Sequence, residues 1–185
     1  GELLSIRAIC RDPRPAGHCL INLGTHLFDT TRFFGGDANW IFGHVTIEGR
    51  DVTAEDIEKT SDGFGLIAGD KASVSLGLDN GVTAKVEFWM ATPPYFGIEL
   101  IGTTGSLVIR QPESPGPMMY RKDALWSVDP TENEWQPIEL SPEALAKFDS
   151  SRWDSVYRMV VEEFIRCIET GEEHPTSGRQ ALKAL

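Results

Sequence analysis

Asn22, His26 and Asp29 stand at i, i+4 and i+7 in a segment whose other side chains are mostly apolar: Leu23, Leu27, Phe28, Phe33 and Phe34. On a helix these three polar positions share one stripe, with neighbours about 5–6 Å apart at Cβ. An imidazole placed there is the side chain suited to take or give a proton near neutral pH. A polar stripe on so greasy a helix marks an element that faces a cleft, because an imidazole or carboxylate buried without a partner is costly. The same spacing also fits a purely structural arrangement, with Asn22 or Thr25 as an N-cap, Asp29 on the surface and His26 satisfied in the core. Spacing alone leaves both open.

The remaining candidates point away from metal chemistry. His18 and His44 match no ligand template with His26 and are expected on the solvated surface, as is His174 in the turn before Pro175. Cys10, Cys19 and Cys167 are odd in number, widely spaced and lack a C-x-x-C, which suits small buried thiols in the reducing cytoplasm. Glu162-Glu163 and Glu172-Glu173 read as solvated faces, and Trp89, Trp126, Trp135 and Trp153 as packing or dimer residues.

The elements that must position the stripe are legible from periodicity. Residues 2–10 alternate as a strand, and the prolines and glycine of RDPRPAG break it. A helical pattern begins near Asn22 and runs to Gly35-Gly36. A strand follows over Trp40–Ile47, then alternating runs over Ala72–Leu78 and Val82–Met90 about Asp79-Asn80-Gly81, the strongest short hairpin signal in the chain. Gly97–Ile101 and Ser106–Arg110 pair across a glycine turn. Met119–Val128 and Trp135–Leu140 form a further pair, with Pro137 suited to a sheet edge. Val156, Val160, Phe164 and Ile168 then recur at helical spacing from about Ser151 to Thr170, with Gly171 as the C-cap and Ser177 capping a last helix. Sequential strands joined by tight turns, with helices before and after, predict an α+β fold: a largely antiparallel, open-faced sheet with helices packed on one face. Trp89, Ile101 and Val108 depart from strict alternation, so the open face is expected either to pair with a second subunit as a homodimer or higher oligomer, or to lie under a folded loop.

Composition narrows the classes. The 185 residues carry 17 Lys+Arg against 28 Asp+Glu, a net charge of −11. That excess repels a nucleic-acid backbone and an anionic membrane surface, so neither is an expected partner. At 41% hydrophobic and 24% charged the chain is of ordinary globular composition and one domain in size, with no apolar run long enough to span a bilayer. All four methionines are internal, and the chain opens at Gly1 directly into strand pattern, so a piece of a longer protein is expected.

A family resemblance adds to these readings. GHCLINLGTHLFDTTRFFGGD resembles the motif that opens the C-terminal domain of the Gfo/Idh/MocA oxidoreductases, which carries D-x-x-x-H-x-x-D. LDNGVTAKVEFW resembles the family's strand, Asn-Gly turn and strand, and IELIGTTGSLVI its G-T-x-G-x-L/I hairpin. VYRMVVEEFIRCIETGEEHPTSGRQALKAL resembles its closing helices, and together the pieces cover essentially residues 1–185 in order. The resemblance implies the C-terminal substrate-binding and oligomerisation domain of an NAD- or NADP-dependent enzyme acting on a sugar, cyclitol or related polyol. The cofactor is then bound mainly by an N-terminal Rossmann domain with a G-x-G-x-x-G loop and an E-K-P lysine. Neither motif occurs here, so this chain alone is expected to be inactive. The resemblance assigns His26 as acid/base and Asn22, where the family often has Asp, as its catalytic companion. It assigns Asp29 and, less directly, Thr25 to substrate binding. Asn can orient an imidazole but cannot stabilise imidazolium with a full charge. Two further readings remain open: a non-catalytic oligomerisation or interaction module, and a member that uses nicotinamide transiently to cleave a glycoside.

Overall fold

The computed structural model describes residues 1–60, 63–111, 119–121, 134–139, 141–143 and 153–184. The chain divides into two compact units, Gly1–Pro137 with Ala184–Leu185, and Ile138–Lys183. In the first unit a nine-stranded sheet carries two helices on one face. The strands are β1 (Leu3–Asp12), β2 (Ala38–Ile47), β3 (Arg50–Asp51), β6 (Lys71–Leu78), β7 (Thr83–Met90), β8 (Tyr95–Gly102), β9 (Ser106–Gln111), β10 (Met119–Arg121) and β11 (Gln136–Pro137). Their spatial order is β11-β10-β9-β8-β1-β7-β6-β2-β3, and β4 (Glu58–Lys59) with β5 (Leu66–Ile67) forms a separate two-stranded pair. The expected α+β architecture is thus present, with Pro137 on the edge strand.

The β6–β7 hairpin closes as its sequence predicts. Leu78 and Val82 are joined across the turn, Asn80 Oδ1 accepts the Val82 N–H at 3.0 Å, and Gly81 sits at φ 84°. What alternation did not show is where β1 lies. It pairs parallel with β7, Ser5 facing Thr83 and Asp12 facing Met90, and antiparallel with β8, Arg7 facing Glu99. The first strand of the chain is therefore central.

Strand parity separates the two faces. Ile6, Ala8 and Cys10 of β1, Leu76 and Val74 of β6, Val86 and Phe88 of β7, and Ile98 of β8 point into the core with Cys19 and Leu27 of the helices. The opposite face carries Arg7, Arg11, Lys85, Glu87 and Trp89, with Trp40 and Phe42 of β2 half or more exposed. It mixes charged and apolar side chains, Ile101 and Val108 among the latter. Glu87 is held between Arg7 at 3.3 Å and Lys85 at 3.0 Å, while Val108 and Ser106 are buried and Trp135 lies against Arg110 and Arg121.

The helices are α1 (Ala16–Asn22) and α2 (Gly24–Gly35). The predicted single helix from Asn22 is corrected on both counts. The helical segment starts six residues earlier, with Pro15 in extended conformation as its N-cap, and it is interrupted at Leu23. One glycine seats α1 against the segment after β5, and another seats α2 on the sheet. A Cβ at Gly17 would stand 2.6 Å from the Ala68 carbonyl oxygen, and one at Gly24 would stand 3.0 Å from Cζ of Phe88.

In the second unit α3 (Trp153–Thr170) covers the predicted amphipathic helix. Gly171, at φ 74°, returns its N–H to the Cys167 carbonyl. Ser177 caps α4 (Gly178–Ala181) by accepting the Gln180 N–H. Arg166 is held by Glu163 and Glu172, so these two carboxylates are paired rather than merely solvated. The remainder of the predicted pair over 119–140, together with Trp126, falls largely outside the described residues.

Candidate functional site

Asn22 closes α1, and Thr25, His26 and Asp29 lie on the first two turns of α2. The Leu23 break does not scatter the stripe. Leu23 keeps right-handed helical dihedrals (φ −78°, ψ −23°), and the Leu27 N–H reaches the Leu23 carbonyl at 3.3 Å, so the helical path carries on across the junction. Beneath it the stack is fixed: Phe28 packs on Phe88 with ring centroids 6.1 Å apart, and Leu27 and Phe88 are fully buried.

His26 is exposed on that support. Its imidazole has no hydrogen-bond or ionic partner among the described residues, and neither has the Asn22 side-chain amide. What their neighbours use is backbone: Thr25 donates its hydroxyl to the Asn22 carbonyl at 2.9 Å, and Thr30 to the His26 carbonyl at 2.7 Å. Thr25 therefore acts as a local brace at the junction. Asp29 meets Arg32 at 3.3 Å with its side chain 59% exposed, while Arg32 is drawn more closely to Asp37 at 2.7 Å. An exposed imidazole whose ring nitrogens are both available, next along the helix from an equally available amide, can exchange a proton with a bound hydroxyl without first breaking a protein contact.

A second polar cluster lies just upstream, and here the expectation for His18 is overturned. Its ring is buried, 6% exposed, because the close seat of Gly17 on Ala68 draws α1 down onto the fold. Asp12, at the end of β1, takes the Arg14 guanidinium in a fork: Nε to Oδ1 at 2.7 Å and Nη2 to Oδ2 at 2.9 Å. It also accepts the Arg14 backbone N–H at 2.9 Å. Nη1 of Arg14 reaches His18 Nε2 at 3.1 Å, and the edge of Phe64 meets the His18 ring. Since guanidinium only donates, His18 Nε2 is the acceptor and the ring carries its proton on Nδ1. In the sequence His18 stands four residues before Asn22, and Pro13 and Pro15 bracket Arg14, but neither feature marks the pairing.

The Arg14 contact holds the Asp12 carboxyl below its ordinary value of 3.8. Asp12 therefore contributes stability that is fully present above pH 3.8 and is lost as pH falls through its lowered folded-state value. Asp12→Asn is expected to cost about 1–3 kcal/mol at neutral pH and to flatten the acid limb of the stability curve below that point. Urea unfolding of both proteins across pH checks this, and identical acid limbs would contradict it. Below the same cluster, the hydrogen bond with Cys19 and then burial push the Cys10 thiol up, and the same bond lowers Cys19. All three cysteines are free and buried.

Among the described residues no cluster of His, Cys, Asp or Glu fits a metal ion, and no helix is long and apolar enough to cross a membrane. Nor do the residues after β1 form a phosphate cradle. The β1–α1 turn is Pro13-Arg14-Pro15, and the space above Gly17 is filled by Ala68.

Residues 1–108 match the family model of the GFO/IDH/MocA C-terminal domain. Among solved structures, levoglucosan dehydrogenase in complex with NADH and levoglucosan is similar over 100% of this chain and 54% of its own, at 18% identity and a TM-score of 0.68. An oxidoreductase domain protein from Kribbella flavida is similar at 18% identity and a TM-score of 0.66, covering 55% of that chain. UDP-N-acetylglucosamine 3-dehydrogenase from Acidithiobacillus ferrooxidans is similar at 13% identity and a TM-score of 0.64, covering 52%. At such identities the likeness is one of fold, and the chain spans about half the length of these proteins. No curated protein matches the sequence.

Proposed function

The chain belongs to the GFO/IDH/MocA C-terminal domain family, and from that membership we propose that it is the substrate-binding part of an NAD(P)-dependent oxidoreductase acting on a sugar, cyclitol or related polyol. The observation that carries the reading is the exposed, unengaged His26 imidazole following the Asn22 amide across the α1–α2 junction. In this reading His26 is the acid/base for the substrate hydroxyl, Asn22 orients substrate or imidazole, and Asp29 offers a carboxylate to neighbouring hydroxyls. The nicotinamide, held by another domain of a longer protein, accepts or returns the hydride. On this reading the chain by itself is expected to be inactive.

The likeness to levoglucosan dehydrogenase supports a carbohydrate substrate, and the three free thiols agree with a cytoplasmic location. The exposed Trp40 and Phe42 on the open sheet face support association with a second copy there. The test is hydride transfer by the longer protein, followed as nicotinamide reduction with NAD or NADP across a panel of polyols and sugars. Reduction that depends on one carbohydrate class is expected. A protein that binds no nicotinamide and reduces none would instead favour an interaction module, a reading to which Asn22 in the place of the usual Asp lends some weight.

A further inference from the structure

We infer that the outer edge of β2 pairs with β2 of a second copy of this chain, antiparallel and centred on Phe42, so that two sheets join into one. On its inner side β2 pairs with β6 along its whole length, from Ala38 facing Leu78 to Thr46 facing Lys71, but on its outer side β3 reaches only Thr46 and Ile47. Among the described residues, no backbone group of Trp40–His44 makes a hydrogen bond outside the ladder with β6. A strand edge left open in this way offers a row of donors and acceptors to another strand. The devices that usually blunt such an edge are missing from this run: it contains no proline and no lysine, and the irregularity at Asn39 ends before it begins. Both of its faces are bare. Trp40 is 51% and Phe42 66% exposed on the open face of the sheet, and Ile41 is 66% exposed on the face that carries the helices. The Trp40 indole lies across Gly77 of β6, where a Cβ would strike it, while the space about Gly43 is open.

Ile41 decides between an edge contact and a face contact. A second copy laid on the open face, as proposed above, covers Trp40 and Phe42 but leaves Ile41 in water on the other side of the sheet; a strand added at the edge covers all three. Facing residues of an antiparallel pair share one side of the sheet, so a twofold pairing keeps like faces together only when it is centred on a residue. Centred on Phe42, it sets that ring against its own copy, Trp40 against His44 and Ile41 against Gly43, whose missing side chain leaves room for the isoleucine. The pairing then stays inside the run between the irregularity at Asn39 and the β3 contact at Thr46. Charge favours a second copy there as well. Between Trp40 and Ile47 there is no Asp, Glu, Lys or Arg, so two chains of net charge −11 meet at this edge without opposed formal charges, and His44 is already bonded to Asp51 at 2.7 Å. The three bare side chains offer about 100 Å² each, which places the contact below the size of a permanent dimer and makes it concentration-dependent.

The test is light scattering of the 185-residue chain over a concentration series. A dimer whose share grows with concentration is expected, and Ile41→Lys is expected to abolish it, because the new charge stands at the edge on the face that an open-face contact leaves untouched. A thermal melt shows that the variant folds, as the exposure of Ile41 leads one to expect. The double variant Ile41→Cys/Gly43→Cys supplies the second arm. Facing Cα atoms of an antiparallel pair stand about 4.5–5.5 Å apart, within reach of a disulfide, so mild oxidation with diamide is expected to give a covalent dimer. The three native cysteines are buried and leave that readout clear. Failure of either arm in a folded variant overturns the pairing, and a dimer that survives Ile41→Lys leaves only the open-face association standing. A chain that stays monomeric at every concentration overturns both. A covalent dimer that forms with the chain but not with the longer protein assigns the edge to another part of that protein and overturns the second copy as its occupant.

Discussion

Replacing His26 by Ala in the proposed longer oxidoreductase is expected to lower kcat by about 10²- to 10⁴-fold, the usual worth of a positioned proton-transfer group, and to leave the fold unchanged. Both halves of that expectation follow from the same facts. The imidazole is exposed and touches no polar group among the described residues, so its removal opens no cavity and orphans no partner. Loss of turnover without loss of melting temperature would therefore isolate a chemical role, which few substitutions in a protein do cleanly. Steady-state kinetics and a thermal melt on the same preparation suffice. Turnover of the true substrate that is indifferent to His26→Ala would make the residue an ordinary surface histidine, and the case for an interaction module would grow.

Phe88→Ala is expected to have the largest effect on stability, about 3–5 kcal/mol. The ring is fully buried at the centre of the sheet, directly beneath Gly24 and beside Phe28. Truncation removes the floor on which the start of α2 rests, and the neighbouring Phe28 can fill the void only by tilting the helix. For a chain of this size the loss corresponds to about 10 °C in melting temperature. Because His26 follows Gly24 by two residues, turnover should fall too, although Phe88 lies on the core side of the sheet and His26 on the exposed side of the helix. A melting temperature within about 2 °C of the wild type would mean that the core does not depend on this contact.

The parts of the fold legible in the sequence were those set by neighbours in the chain. Asn80-Gly81 makes its turn wherever it stands, the alternation of β6 and β7 survives whatever packs above them, and Gly171 and Ser177 cap their helices from within a few residues. Pairing between distant segments was not legible, because alternation shows that β1 is a strand but not that it lies between β7 and β8. The start of α1 was hidden for a related reason. Pro15 lacks an N–H and reads as a breaker, yet just ahead of a helix a missing donor costs nothing. His18 was misplaced because its burial comes from Gly17 settling on Ala68, a contact across some fifty residues of chain. Of the candidate site, spacing and the family resemblance single out Asn22, His26 and Asp29, which the structure places on one helical path. The Arg14 clamp needed coordinates, since Asp12 and Arg14 look alike whether paired or solvated.

The central place of β1 bears on how quickly the protein can form. Hairpins such as β6–β7 and β8–β9 close between near neighbours, on a timescale of microseconds. Ser5 must find Thr83 across 78 residues, and sheets built on such distant pairings are slow to assemble. Until β1 arrives, each hairpin presents a free edge toward the gap it will fill, the kind of edge through which partly folded chains stick to one another. β1 is thus expected to be the last of these strands to acquire both neighbours. Asn22 and His26, trailing directly behind it on α1 and α2, would gain their seat only when the slowest pairing in the sheet is made.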